Sequence, residues 1–383
     1  MAWDNIIGQD RIKNILGKAI FDKRISHAYC FWGIDGCGKD ALAFEFAKAA
    51  NCLSPIITEN LVDSCGECPS CKQAATMQHP NIQFVFSLPT PKGGSSKDDS
   101  AVGKMSDEQI EEIKEQINLK SENLYHRFSV QGGNQIKIAG VRELKRNLSM
   151  TSIQRGRRFI IISRADEMTV EAANAFLKTL EEPHSDTTII MTTSKHELIL
   201  PTIMSRSQQI HCEPIPDEKI IDALINKHDI QPDEAKLISA FAQGSYTQAL
   251  EYLDADMKEF RETVVNIFRN SLKKHKFRTE LLTRLEDVLK LKDKKKMEKL
   301  LSLLLIWIRD ALIIVKTGST QNIINADQLE TINKFAQNFS KKALSEAINE
   351  IEISISKIRR NVMPELIFID LFMKLRAIFL DEV

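Results

Sequence analysis

Apolar positions recur along the first 213 residues in two alternating patterns. Over residues 8–23, Ile12, Ile15, Leu16, Ala19 and Ile20 share one face at helical spacing. Ala28-Tyr29-Cys30-Phe31-Trp32 is an unbroken apolar run that reads as a buried strand, and residues 41–50 return to a helix-like pattern. Arg158-Phe159-Ile160-Ile161-Ile162-Ser163 and residues 187–193 are two further continuous runs, as expected of strands buried on both faces of a parallel sheet. Between them Thr169 is a candidate N-cap for a helix through Asn174-Ala175-Phe176-Leu177-Lys178-Thr179-Leu180-Glu181-Glu182, with Pro183 to stop it. A short strand is predicted near 209–212. Strands and helices alternating in this order predict an open parallel α/β sheet over residues 1–213.

Beyond Pro214 and Pro216 only helical patterns remain. Residues 214–254 read as a small helical lid. Residues 255–383 read as an all-α domain with an apolar stripe through Leu300, Leu303, Leu304, Trp307 and Leu312. The charge run at 292–299 reads as a solvated face, with DNA contact as the lesser alternative. Within the first domain, Pro89, Pro91, Gly93-Gly94-Ser95-Ser96 and Asp98-Asp99-Ser100 have the composition of a mobile loop. Ser106-Asp107-Glu108-Gln109 resembles a capping box opening a charged helix to about residue 120. Residues 87–134 are therefore expected to be a flexible surface insertion with no assigned function. Order resumes at 135–138, ahead of a helix through Val141, Leu144 and Leu148.

Composition acts mainly by exclusion. Lys+Arg and Asp+Glu both total 52 in 383 residues, so no global charge draws the chain to nucleic acid or anionic lipid. A hydrophobic share of 43% suffices for the cores of two or three domains. No stretch approaches the ~20 apolar residues of a membrane span, and the first residues lack a basic segment followed by an apolar core. A cytoplasmic protein with no membrane partner is expected. Of seven cysteines, four are grouped at Cys52, Cys65, Cys68 and Cys71. Two overlapping C-x-x-C turns plus one upstream thiol supply the four soft ligands of a structural zinc ion and leave no open position for catalysis. Free or redox thiols are the alternative. His79 stands close enough to replace one ligand, although a lone His before Pro80 more often belongs to a turn.

The main candidate chemistry lies in Gly33-Ile34-Asp35-Gly36-Cys37-Gly38-Lys39-Asp40, between the first strand and the following helix. A loop G-x-x-x-x-G-K-[ST] cradles phosphates with backbone N–H groups, a Lys and a Mg²⁺-ligating hydroxyl. Gly33, Gly36, Gly38 and Lys39 fit a nucleotide-binding loop, but Asp40 replaces the hydroxyl and would oppose phosphate charge. At the end of the 158–163 strand, where a hydrolase offers acids for Mg²⁺ and water, the chain has Ser163 and Arg164, with Asp166 and Glu167 beyond the strand. The loop is preserved as architecture and altered as a catalyst.

Four stretches together resemble the AAA+ subunits of the bacterial DNA polymerase III clamp loader: Ile25-Ser26-His27-Ala28-Tyr29, the four cysteines, 174–183, and Ser205-Arg206 after Leu200-Pro201. The resemblance implies an α/β P-loop AAA+ core (1–213, with a zinc module at about 52–79), a helical lid (214–254) and an all-α collar (255–383). Within that family the gamma/tau motors have complete loops and an Asp-Glu strand end, whereas delta-prime has lost them; Asp40, Ser163 and Arg164 follow the delta-prime pattern. The resemblance further implies that Arg206 is an arginine finger for a neighbour's ATP, although Ser207 stands where the family has Cys. It also places Thr247, in Gly244-Ser245-Tyr246-Thr247-Gln248-Ala249-Leu250, where a sensor Arg belongs; Thr192 or Thr193 remains available as a polar strand-end sensor. The implied partners are gamma/tau and delta subunits in a hetero-pentamer, and through it the sliding clamp and primed DNA. The expected function is a non-hydrolysing structural subunit; whether ATP binds the altered loop is left open. An active AAA+ motor is the alternative. A zinc-dependent nucleic-acid-binding protein is disfavoured by the balanced charge and the lack of an aromatic-basic motif.

Overall fold

The computed structural model describes residues 3–89, 105–149, 155–182, 186–253, 257–273, 294–320, 323–359 and 363–380. Residues 90–104 of the expected mobile loop (87–104), the Pro183 stop and the start of the 292–299 charge run lie outside the described residues. The chain divides into two compact units, residues 1–228 with 243–248, and residues 229–242 with 249–383.

In the first unit α1 (Asp10–Phe21) precedes β1 (Ala28–Trp32), whose alternate side chains enter two different cores. Ala28 and Cys30 join Ile160, Ile162, Ile189, Met191 and Phe176 on one face of the sheet. Tyr29 points the other way and meets Phe46 edge-on at 5.6 Å, which in turn meets Phe159 at 5.4 Å. Phe46 belongs to α2 (Lys39–Ala50), the helix that follows the glycine loop. A β-hairpin, β2 (Ile56–Thr58) and β3 (Leu61–Asp63), and α3 (Pro69–Ala75) carry the cysteines. The main sheet is completed by β4 (Ile82–Val85), β5 (Arg158–Ile162), β6 (Thr187–Thr193) and β7 (Gln208–His211) in the order β4-β5-β6-β1-β7, all parallel. Register sets Trp32 between Thr193 and His211, so β1 and its loop emerge in the middle of the carboxyl edge of the sheet. This is the open parallel α/β sheet that the sequence predicts, flanked by helices.

Between β4 and β5 lie α4 (Asp107–Glu122) and α5 (Ile138–Ser149). Ser106 and Gln109 form the expected capping box at the start of α4. After β5, Thr169 accepts from the Ala172 N–H and opens α6 (Val170–Glu181). The short α7 (Pro201–Met204) precedes β7, and α8 (Asp217–His228) follows it.

The regular elements of the second unit's described residues are helical, with α-helices at Pro232–Ala242, Met257–Ser271, Lys294–Thr317, Leu329–Ala336, Lys341–Arg359 and Pro364–Leu380. The predicted stripe through Leu300, Leu303, Leu304, Trp307 and Leu312 is buried, and Trp307 lies 4.9 Å from Phe335, which meets Phe379 at 5.4 Å. A buried carboxylate, Asp310, accepts from the N–H groups of Ile324 and Asn325 and so fixes the turn beneath this helix. No helix of the described residues is long and apolar enough to cross a membrane.

Candidate functional site

The loop after β1 is closed by the chain's own residues. Gly38, the N-cap of α2, has φ +96°, a conformation only glycine adopts freely, and a Cβ there would meet the Tyr125 hydroxyl at 2.9 Å. Gly36 is likewise left-handed, and its carbonyl accepts from the Tyr246 N–H at 3.0 Å. Lys39 is buried and turns back on the loop, donating to the carbonyls of Gly33 (3.1 Å) and Ile34 (2.5 Å).

Asp40 lies in the first turn of α2, where its negative charge complements the positive end of the helix. One carboxylate oxygen accepts from Ser163 Oγ at 2.8 Å and the other from Thr192 Oγ1 at 2.6 Å, so Asp40 binds the ends of both β5 and β6. Lys120 Nζ stands 3.4 Å from Asp40 and donates to the His126 carbonyl at 2.8 Å. Burial pushes the Asp40 carboxyl upward, but Lys120, the two hydroxyls and Lys39 outweigh it and hold it below the usual carboxylate range. Burial lowers the Lys120 pKa, and Asp40 opposes that shift. The loop, strand ends and residues 120–128 enclose a cavity of about 60 Å³, room for a few water molecules. A small-molecule site needs roughly 300–1,000 Å³.

Of the insertion, α4 buries only Lys120, but the segment after it turns into the chain. Tyr125, Phe128 and Val130 are buried. Tyr125 Oη accepts from the Ile7 N–H at 2.8 Å, and its carbonyl accepts from Thr247 Oγ1 at 2.7 Å. Thr247, at the position of the expected sensor Arg, therefore binds the insertion.

The acids past β5 are committed elsewhere. Asp166 accepts from Thr193 Oγ1 at 2.6 Å, and Glu167 pairs with Arg164 at 3.2 Å and accepts from Ser87. Arg164 also donates to the Phe128 carbonyl at 3.1 Å. Thr192 and Thr193, the two candidate sensors, are both engaged with carboxylates of the chain.

Arg206 is placed differently. It follows α7, donates to the Thr202 carbonyl at 3.0 Å and pairs with Glu181 of α6 at 2.9 Å, with both side chains more than a third exposed. Ser207, where the resemblance expected Cys, donates to the Ile203 and Met204 carbonyls and so finishes the same turn.

The sulfur atoms of Cys52, Cys65, Cys68 and Cys71 all lie within 4.8 Å of one another. Three of the separations are 3.5, 4.0 and 3.9 Å, close to the edge of a tetrahedron with metal–sulfur bonds of about 2.3 Å. The N–H groups of Cys65, Cys68 and Cys71 point at the sulfurs of Cys52, Cys65 and Cys68, and N–H groups of this kind hold the Cys65 thiol below its ordinary pKa. Donor chemistry and geometry therefore fit a closed four-thiolate metal site. His79 is not a ligand: its Nδ1 accepts from the Asn81 N–H, while Nε2 bonds Ser70 Oγ, which donates to the Asn51 carbonyl.

Sequence reasoning singled out the loop, the cysteines and Arg206, but did not name Lys120, Tyr125 or Thr247 as partners of the loop. An acid in a magnesium position implies a nearby cation, and that was the available signal for Lys120.

Two relatives named DNA polymerase III subunit delta' are similar to the chain. That of Bacillus subtilis is 27% identical over 92% of both chains, and that of Pseudomonas aeruginosa is 28% identical over 65% of this chain and 62% of its own. DNA polymerase III subunit tau of Bacillus subtilis is 23% identical over 96% of this chain, which spans 60% of that relative's length. Residues 8–216 match the family described as DNA polymerase III, delta subunit, and residues 273–376 match its C-terminal part. With more than half of its length matched in this way, the chain belongs to the DNA polymerase III delta subunit family.

Proposed function

We propose that this chain is a delta-prime-type subunit of the DNA polymerase III clamp loader that does not itself hydrolyse ATP and that completes a neighbour's ATP site with Arg206. The observation that carries the first part is Asp40, whose carboxylate is bound by Ser163, Thr192 and Lys120 across the loop that would otherwise receive phosphate. A γ-phosphate at this loop would meet the half-buried negative charge of Asp40, and magnesium would find no free strand-end acid.

Arg206 supports the second part. Its guanidinium is already held by an anion, Glu181, on an exposed turn. A phosphoryl oxygen of a neighbour's nucleotide is an anion of the same geometry, so the exchange of one acceptor for another costs little desolvation. The polypeptide would then act as a scaffold within a hetero-pentamer of gamma/tau and delta subunits, reaching clamp and primed DNA through that complex. Helical residues 255–383 would form its collar and 214–254 its lid. The four cysteines would hold one structural zinc ion, which stiffens the segment between α2 and β4. About one equivalent of zinc per chain is expected, and a folded metal-free preparation would contradict the site.

The test is steady-state ATP hydrolysis by the chain alone and after mixing with motor and delta subunits, clamp and primed DNA. The proposal expects no turnover alone and turnover by the mixture that depends on this chain. Robust turnover by the chain alone would make it a motor.

A further inference from the structure

Apart from Lys120, residues 105–134 have no part in that reading, yet they meet the altered loop at Asp35, Gly38 and Asp40. α4 is a strongly charged helix, and its one buried residue is a lysine, Lys120. Its apolar face, Ile110, Ile113 and Ile117, is only half-buried. What holds the helix end is the ammonium group, placed between the Asp40 carboxylate and the His126 carbonyl. The segment that follows folds back through its own bonds: Asn123 Oδ1 accepts from the Tyr125 N–H, and Gln116 Oε1 accepts from the Ser129 N–H and pairs with His126 Nε2. It then presents three groups in succession. Tyr125 covers Gly38, binds the Ile7 N–H and meets the Tyr246 ring edge-on at 4.9 Å. Arg127 pairs with Asp35 at 3.2 Å. Phe128 packs on Phe84 and Phe86 and accepts from Arg164 through its carbonyl.

We infer that residues 105–134 are the resident ligand of the phosphate loop, with the Lys120 ammonium seated beside Asp40 as a bound cation would be and the Tyr125 ring closing the loop's mouth. The insertion binds its own chain at this face. Asp40 and Lys120 are a matched pair: Lys120 is fully buried, and the half-buried Asp40 carboxylate is the anion it pairs with, while Lys39 adds a second, weaker favourable charge to Asp40. The inference holds whether or not Arg206 serves a neighbour, because it concerns the loop of this chain alone.

The experiment is a double-mutant cycle on the full chain, read as the midpoint of thermal unfolding. Asp40→Asn leaves the Lys120 charge buried without its partner, and Lys120→Met leaves the half-buried Asp40 charge with Ser163, Thr192 and Lys39 alone to offset it. Each single change is expected to lower the midpoint by at least about 5 °C, and the double change to recover at least half of the larger loss. Losses that simply add, or singles that cost no more than an exposed pair, would overturn the inference. Hydrogen exchange supplies an independent reading with Tyr125→Ala. Amides of Ile7 and of residues 36–40 should exchange at least about tenfold faster, with the helices of the second unit unchanged. Unchanged exchange at 36–40 would show that the insertion does not close the loop. Binding of Mg-ATP to the unaltered chain at millimolar concentration, by equilibrium dialysis, would also overturn it.

Discussion

The phosphate loop and the Arg206 turn sit in the same α/β unit and treat charge in opposite ways. In the loop, Lys39 bonds carbonyls, Asp40 bonds two hydroxyls and an ammonium, and residues 120–128 lie over the result. At the turn, Arg206 is held by one carbonyl and one exposed carboxylate. An incoming anion meets groups already bonded within the chain at the first place and an exposed carboxylate at the second. On the proposed function, this difference would separate two capacities, receiving a nucleotide and acting on a neighbour's.

The largest effect that would break this comparison is at Arg206. Arg206→Ala should lower ATP turnover of the reconstituted complex by about 10³-fold, the scale of an arginine finger, with assembly intact by gel filtration. Unchanged turnover would remove the finger. On the loop side, Gly38→Ala combines a left-handed backbone with a Cβ 2.9 Å from the Tyr125 hydroxyl. It should cost about 2–3 kcal/mol in urea unfolding, against about 1 kcal/mol for Gly318→Ala, where the backbone is also left-handed and the space is open. Equal losses would mean that Tyr125 is not seated on the loop.

Acid should sharpen the contrast. The Asp40 carboxyl lies lower in the folded chain than in the unfolded one, so its stabilising contribution is full above the unfolded value near 4. It is lost as pH falls through the lower folded value. The stability difference between the unaltered chain and Asp40→Asn should therefore shrink below about pH 4, and a difference that widens there would reverse the assignment. The smallest effect belongs to Glu181→Ala, which breaks an exposed pair and should change stability by less than about 0.5 kcal/mol.

Continuous apolar runs made β1, β5 and β6 legible in the sequence, because strands buried on both faces carry their own signature. Loop and cysteine spacings were equally local, as were the Ser106 and Thr169 caps. β4 was missed because all four of its residues are only half-buried, and the β2–β3 hairpin because three-residue strands have no period to detect. Lys120 was read as one more charge on a polar helix. Its partner Asp40 is 80 positions earlier in the chain, and an ion pair at that separation leaves no trace in either neighbourhood. Tyr125 is hidden in the same way, since its contacts at Ile7, Gly38 and Thr247 come from three distant segments.

The most direct test of two separated capacities is one ATPase assay of the reconstituted complex carrying either of two variants of this chain. With Asp40→Asn/Lys120→Met, which alters only the closed loop, turnover should stay within about twofold of the unaltered complex; with Arg206→Ala it should collapse by the finger's factor. Collapse with the loop variant and full turnover with Arg206→Ala would contradict the account, because the catalytic contribution would then lie in this chain's own loop.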